Sequence, residues 1–339
     1  MPNTIIIAEA GVNHNGDIGL ARQLIDVAAA AKADYVKFQT FKASKLASPH
    51  ASKASYQKAT TNAEENQLTM LKKLELDEAI HYELKSYCEI KGIRFLSTPF
   101  DEESISLLKQ LDVEIGKIPS GEITNLPYLR HMAKSFPQLI ISTGMSDTTE
   151  IQDAINALKE AGAVPANITI LHCNTEYPTP MQDVNLKAML NIADTFGCAI
   201  GYSDHTLGIE VPIAAVALGA TIIEKHFTLD RNMEGPDHKA SLEPAELKAM
   251  VDAIRNIELA VSGSGEKVPS ASELKNKAIA RKSIVSVRDL PKGHRIMAED
   301  MVMKRPGTGI SPMKMDTLIG KVLIHDVEAD TVFDYSHFE

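Results

Sequence analysis

Residues 200–227, IGYSDHTLGIEVPIAAVALGATIIEKHF, decide the fold. Two short apolar runs, 200–206 and 221–227, become polar or charged toward their C-terminal ends, and a helix-like stretch separates them. Apolar strands alternating with helical patterns read as βα units of a parallel sheet. The same unit recurs upstream. TIIIAE (4–9), YVKFQT (35–40), RFLSTPF (94–100), IGKIPSGE (115–122), LIISTGM (139–145) and ITILHCNTEY (168–177) bring the set to eight. Eight such units within about 260 residues predict an α/β fold, a (β/α)8 TIM barrel, whose chemistry sits at the C-terminal ends of the strands.

Helix signals fall between the runs. Asp17 precedes an amphipathic stretch as an N-cap, and Gly92 follows another as a C-cap. TTEIQDAINALKEAG (148–162) opens on capping threonines and closes at Gly162, while Pro244 suits the first turn of the last barrel helix. One connection is long: 41–68, FKASKLASPHASKASYQKATTNAEENQL, basic at first and then polar. On the catalytic face of a barrel, a loop of this length reads as a lid. The barrel domain is expected over 1–263, a polar linker with some helical character over 264–281, and a small β-rich domain over 282–339. So small a module gains by packing against its own barrel or a partner.

Bulk properties narrow the class. Of 339 residues, 44% are apolar, enough for a sizeable core, and the net charge is −10. That charge argues against nucleic acid or an anionic membrane as partner, but a local cluster of lysines can still meet a small anion. Cys88, Cys173 and Cys198 lack metal-ligand spacing and suit a reducing compartment. The first strand begins too early for a secretion signal, and no run reaches membrane length, so a cytoplasmic protein is expected.

Strand parity selects candidate residues, because side chains two apart share a face. Ile5, Ile7 and Glu9 form one such set; Tyr35, Lys37 and Gln39 another; then Ser203 with His205, and Ile222 with Glu224 and His226. With these faces inward, Glu9, Lys37, Gln39, His205, Glu224 and His226 converge at the barrel mouth. His205 and His226, on adjacent strands, either share a divalent metal or are hydrogen-bonded structure. Lys37 and Lys117 read as a phosphate or carboxylate clamp, as a Schiff-base nucleophile, or as partners of internal ion pairs with Glu9 or Glu122. Thr98, Ser120, Ser142 and Ser203 add hydroxyls that, beside two lysines, make a phosphate cradle. No P-loop or dinucleotide fingerprint is present: GTGI and SGSG lack the strand and helix context.

Taken together, AEAGVNHNGD, VKFQTF, FLSTPFD, GKIPSGE, ISTGM, LHCNTEYPTP, GYSDHT, EKHFTLD, GPDH and KRPGTG resemble the sialic acid synthase family across nearly the whole chain. The C-terminal segment resembles the antifreeze-like (SAF) domain of these synthases. The resemblance implies metal-dependent condensation of phosphoenolpyruvate with an N-acetylated mannosamine-type sugar and water, giving a nine-carbon 2-keto acid and phosphate. N-acetylmannosamine, giving N-acetylneuraminate, is the first expectation for the acceptor. A 2,4-diacetamido-6-deoxymannose, giving the legionaminate type, is the alternative. By motif, His205 and His226 would hold a divalent ion, manganese first, with magnesium or cobalt as alternatives. Lys37, Thr98, Lys117, Ser120, Ser142 and Ser203 would grip phosphoenolpyruvate; Gln39, Tyr177 and Asp237 would meet the sugar; Glu9 and Glu224 match acidic positions implicated in the chemistry. Arg305 would reach in from the C-terminal domain of the other subunit of a domain-swapped homodimer. The pattern departs near Tyr177: where some members carry Asn two residues before the tyrosine, this chain has Thr175, with Asn174 one step earlier. Either Asn174 or the backbone then takes that role. The long lid differs among branches of the family and is expected to help choose the sugar.

Two rival readings are separable. A class I aldolase would use Lys37 or Lys117 as a Schiff base but leaves the histidine pair unexplained. A non-catalytic carbohydrate- or ice-binding role for the C-terminal module fits poorly with its basic PKGHR and MKRPG stretches.

Overall fold

The computed structural model describes residues 3–62 and 64–339, which form two compact units, Met1–Gly263 and Ser264–Glu339. The first is the barrel. Its strands are β1 (Ile5–Gly11), β2 (Tyr35–Thr40), β3 (Arg94–Pro99), β4 (Ile115–Ile118), β5 (Gln138–Ser142), β6 (Ile168–Cys173), β7 (Ala199–Asp204) and β8 (Ile222–His226). They hydrogen-bond in the order β3-β2-β1-β8-β7-β6-β5-β4, and every pair in the ladder is parallel. β3 and β4, at the two ends of this order, pack side by side, so the sheet curls into a nearly closed ring.

Helices form where the capping chemistry is right. Asp17 accepts from the Leu20 N–H and starts helix Ile18–Ala31; Gly92, at φ 69°, ends helix Glu78–Lys91. Helix Thr148–Glu160 differs from expectation. Its cap is Asp147, whose carboxylate accepts from the N–H groups of Thr149 and Glu150, while Glu150 reaches back to the Asp147 N–H. A carboxylate satisfies two orphan donors and meets the positive end of the helix dipole, which a threonine hydroxyl does less well. The helices lay leucines, isoleucines and alanines against the sheet, among them Leu24, Ile25, Leu84, Leu158 and Ile254, all buried.

The long connection after β2 is not an open loop. It carries helices Ala43–Leu46, Ser55–Thr60 and Gln67–Leu74. Met70, Leu71 and Leu74 pack with Val12, Phe41, Ala43 and Ala47 in a separate small apolar cluster. Lys53 is sealed inside the segment: its ammonium donates to Thr61 Oγ1 at 2.7 Å and to the Asn62 carbonyl, and lies 3.6 Å from Glu65. The lid therefore has a core of its own.

The second unit begins with the exposed helix Ala271–Ala280 inside the segment read as a linker. Beyond it, β9 (Ser283–Ser286) pairs antiparallel with β10 (Met301–Lys304). Ile284, Leu290, Ile296, Leu318, Leu323 and Phe333 make its core. Asp300 is fully buried and accepts from Arg288 at 2.7 Å, His294 at 2.7 Å and the Met297 N–H at 3.0 Å. Among the described residues no helix is long and apolar enough to cross a membrane.

Candidate active site

Strand register assembles the barrel mouth. Glu9 on β1 is level with Lys37 on β2 and with His226 on β8; Ser203 on β7 is level with Glu224 on β8, and Gln39 on β2 with Thr98 on β3. These residues line one cavity of about 570 Å³, together with Lys117, Ser120, Ser142, Tyr177, His205 and Asp237. The residues selected by parity thus meet in one cavity. Gly11 makes room for it: at φ +52° a Cβ there would stand 3.2 Å from Cε1 of His226, strained as well as crowded.

Both lysines make internal ion pairs, one of the readings left open by the sequence, and each also meets a hydroxyl. Lys37 donates to Thr98 Oγ1 and Lys117 to Ser142 Oγ, each at 2.7 Å. Lys37 also lies 2.5 Å from Glu9 and 3.6 Å from Glu224, and Lys117 lies 3.3 Å from Glu224. Glu122 is not a partner of either; it accepts from Asn125 instead. Ser203 donates to Glu224 at 2.9 Å, and Ser120 meets Cys173 Sγ at 3.3 Å while accepting from the Gly144 N–H at 2.9 Å.

Burial sets the electrostatics of this network. It pushes the Glu9 carboxyl up to about 7 against the pull of Lys37, with the charge of Glu224 adding to the rise. Burial pushes Glu224 up as well, but Lys117, Lys37 and the Ser203 hydroxyl together hold it below the usual carboxylate range. Of two carboxyls so close, the one that faces both ammonium groups keeps its charge. Burial lowers Lys117, and Glu224 only partly offsets it; Lys37 is instead raised, because Glu224 and Glu9 outweigh the same burial. Two cations facing two carboxyls, of which one is easily protonated, leave capacity for an anionic ligand.

The histidine pair fits a divalent ion. Burial lowers His205 to about 4 and His226 well below its ordinary value, so both rings are neutral and can donate lone pairs. The ring centroids are 5.5 Å apart. Nδ1–H of His205 donates to the Asn174 carbonyl, which leaves Nε2 as the lone-pair nitrogen, and Tyr177 donates its hydroxyl to that nitrogen at 2.9 Å. A backbone carbonyl that fixes the tautomer is the usual support of a metal-binding imidazole. Among the described residues, Nδ1 of His226 is buried with no hydrogen-bond partner, a cost that a ligand would remove. Among the described residues no cluster of three His, Cys, Asp or Glu is disposed as a complete ligand set.

Asp237, raised to about 6 by burial, and Gln39 border the same cavity. Asn174 does not reach it. Its side chain accepts from the Glu176 N–H at 2.8 Å and donates to the Asp183 carbonyl, and Thr175 lines the cavity in its place. Its carbonyl instead accepts from Nδ1 of His205, because the backbone leaves the strand at Cys173 and parity no longer holds. Arg305 belongs to the second unit, where it is exposed and donates from Nε to the Ala280 carbonyl at 3.0 Å. Sequence reasoning missed Cys173, Met145, Phe100 and the lid residues Leu46, Gln57, Gln67, Met70, Leu71 and Leu74, all of which border the cavity. Cys173 was findable as the residue level with Ser203; the lid residues carry no strand parity to announce them.

Comparison with known proteins decides the family. The NeuB family model matches residues 24–267, and the SAF domain model residues 281–339. The chain belongs to the NeuB family. Within it, the chain is 54% identical to the N,N'-diacetyllegionaminic acid synthase of Campylobacter jejuni, over 97% of this chain and 98% of that protein. It is 50% identical to the protein of the same name from Legionella pneumophila, over 98% and 94%. The crystal structure of the N-acetylneuraminic acid synthetase of Leptospira borgpetersenii, a complex with citrate, superposes with a TM-score of 0.70 at 36% identity, covering 81% of this chain and 90% of that one. The NeuB family relatives are thus sialic acid and other nonulosonate synthases, the group that the sequence motifs resemble.

Proposed function

We propose that this protein condenses phosphoenolpyruvate with an N-acetylated sugar and water to give a nonulosonate and inorganic phosphate. The observation that carries the reading is the pairing of Lys37 with Thr98 and Lys117 with Ser142, in one cavity with His205 and His226. Lys37 and Lys117 offset the charges of the phosphate and carboxylate, and Thr98, Ser120, Ser142 and Ser203 supply hydroxyls to their oxygens. A divalent ion held by His205 and His226, manganese first, would supply a Lewis acid for the sugar carbonyl oxygen. Carbon 3 of phosphoenolpyruvate bonds to sugar carbon 1, whose carbonyl oxygen gains a proton. Water adds at carbon 2 and loses one proton to Glu9 or Glu224, which balances the proton gained by the sugar oxygen; the carbon–oxygen bond to phosphate then breaks as the new hydroxyl gives its remaining proton to the departing phosphate, leaving the 2-keto acid. Gln39, Tyr177 and Asp237 border the sugar side of the cavity. Arg305 serves the neighbouring subunit of a homodimer.

For the acceptor, the 2,4-diacetamido-6-deoxymannose is favoured over N-acetylmannosamine. The two relatives at 54% and 50% identity support this choice, and so do the amides of Gln57 and Gln67 at the cavity wall, which suit a second acetamido group. Phosphate release from phosphoenolpyruvate, followed with each sugar in turn, tests it. Faster turnover of N-acetylmannosamine would reverse the choice, and no release with any acceptor would reject the synthase reading.

A further inference from the structure

His226 is the last residue of β8, but β7 ends at Asp204, so His205 lies one residue beyond its strand. The last rung between the two strands pairs Asp204 with Lys225. The backbone ladder therefore stops short of His205, and other bonds must set its place relative to His226. A buried ion pair lies at that last rung. The Lys225 ammonium donates to Asp204 Oδ2 at 2.5 Å and to the Thr206 carbonyl at 2.6 Å. Asp204 Oδ1 accepts from the Thr206 N–H at 3.0 Å, and Oδ2 from the Thr206 hydroxyl at 3.1 Å. Both residues that flank His205 are thus tied to the residue that precedes His226. The pair itself stands outside the cavity: Asp204 and Lys225 are out of step with Ser203, His205, Glu224 and His226, which line it, and both side chains are fully buried.

We infer that Asp204 and Lys225 are positioning residues, whose ion pair holds the two imidazoles at the spacing that a shared divalent ion needs. The inference rests on the metal reading of His205 and His226. Stability alone is a poor account of the pair, because desolvation of two buried charges offsets most of their attraction, and apolar side chains of similar size would do as well. What the pair supplies and an apolar contact lacks is direction, since charge-assisted hydrogen bonds fix the groups they join in length and angle. The Asn174 carbonyl orients the His205 ring; the ion pair sets where the backbone beneath that ring stands against β8. Metal–nitrogen distances hold within about 0.2 Å, so a small drift of one strand end is read directly as lost affinity.

The test titrates manganese into the metal-stripped full-length protein by calorimetry and records the thermal midpoint of each variant. Removing one partner alone would strand a buried charge, so the two are replaced together. Asp204→Leu combined with Lys225→Met should keep the midpoint near that of the parent protein. It should nevertheless weaken manganese binding by about 10- to 100-fold, the range for loss of a group that supports a metal ligand. A purely structural pair would move the midpoint and leave the affinity alone. Thr206→Val keeps the shape of the side chain, removes its hydroxyl bond to Asp204, and is the second probe should the double variant fail to fold; it should weaken manganese binding to a smaller degree. Parent affinity in the double variant, or in Thr206→Val where the double variant does not fold, would overturn the inference while leaving the metal reading intact. No manganese binding by the parent protein would remove the metal reading and the inference with it.

Discussion

The Tyr177 hydroxyl stands 2.9 Å from Nε2 of His205 and donates to the nitrogen that the Asn174 carbonyl leaves as a lone pair. An ion bound to this histidine must therefore displace the tyrosine hydroxyl, and the cavity presents its lone pair already aimed. Extensive dialysis against a chelator should abolish turnover, and manganese should restore it. Calorimetric titration of manganese should show one strong site, lost in His205→Ala and in His226→Ala. Full activity in a preparation verified as metal-free would contradict the assignment.

The proposed clamp requires that Lys37 and Lys117 bind the anionic substrate and form no imine. Lys37→Met or Lys117→Met should weaken phosphoenolpyruvate binding by about 2–5 kcal/mol, the cost of leaving a buried charge without its partner. Circular dichroism would confirm that the barrel remains folded. Borohydride with pyruvate should leave both lysines unmodified; a stable adduct on either one would establish the aldolase alternative.

Lys53 ties the lid to itself. Lys53→Ala removes its hydrogen bonds to Thr61 and the Asn62 carbonyl and its ion pair with Glu65. The loss should loosen the segment by about 1–3 kcal/mol. Limited proteolysis should then cut between residues 48 and 66 faster than in the parent protein, and KM for the sugar should rise while that for phosphoenolpyruvate holds. Unchanged cleavage would show that the apolar cluster alone suffices.

Asp300 makes the second unit acid-sensitive. Burial raises its carboxyl, but the bonds from His294, the Met297 N–H and Arg288 outweigh burial and hold it below the usual carboxylate range. A folded value below the unfolded one means the stabilisation is complete above about pH 3.9, the ordinary aspartate value, and is lost as pH falls through the folded value. Hydrogen exchange at Ser283–Ser286 should accelerate across that window. Asp300→Ala should cost about 2–3 kcal/mol at neutral pH and remove the dependence; a variant with the same acid sensitivity would assign it to another group.

The proposed role of Arg305 in the neighbouring subunit calls for mixing. Arg305→Ala and His226→Ala proteins, each inactive alone, should regain part of the activity as mixed dimers, because one of the two sites then has both functional groups. Mixed dimers with no recovery would place Arg305 within its own chain or outside the reaction.

Much of this protein was legible in the chain itself. The eight-strand rhythm and the alternation within each strand name the barrel and the side chains at its mouth, since both follow from local periodicity and apolar patterning. Glu9, Lys37, His205, Glu224 and His226 needed nothing more. Whatever depends on pairing between distant segments was not legible. Glu224 rather than Glu122 answers Lys117, because β4 faces β8 across a ring that only closure creates. Asn174 turns its side chain away and offers its carbonyl to His205, because strand alternation ends at Cys173 and a loop obeys its own hydrogen bonds. The connection over 41–68 read as basic and then polar, yet Met70, Leu71 and Leu74, just beyond it, find Phe41 and Val12 and fold the segment into a wall of the site. Such contacts join residues far apart in sequence, and their free energy is realised only when the tertiary fold has brought the partners together.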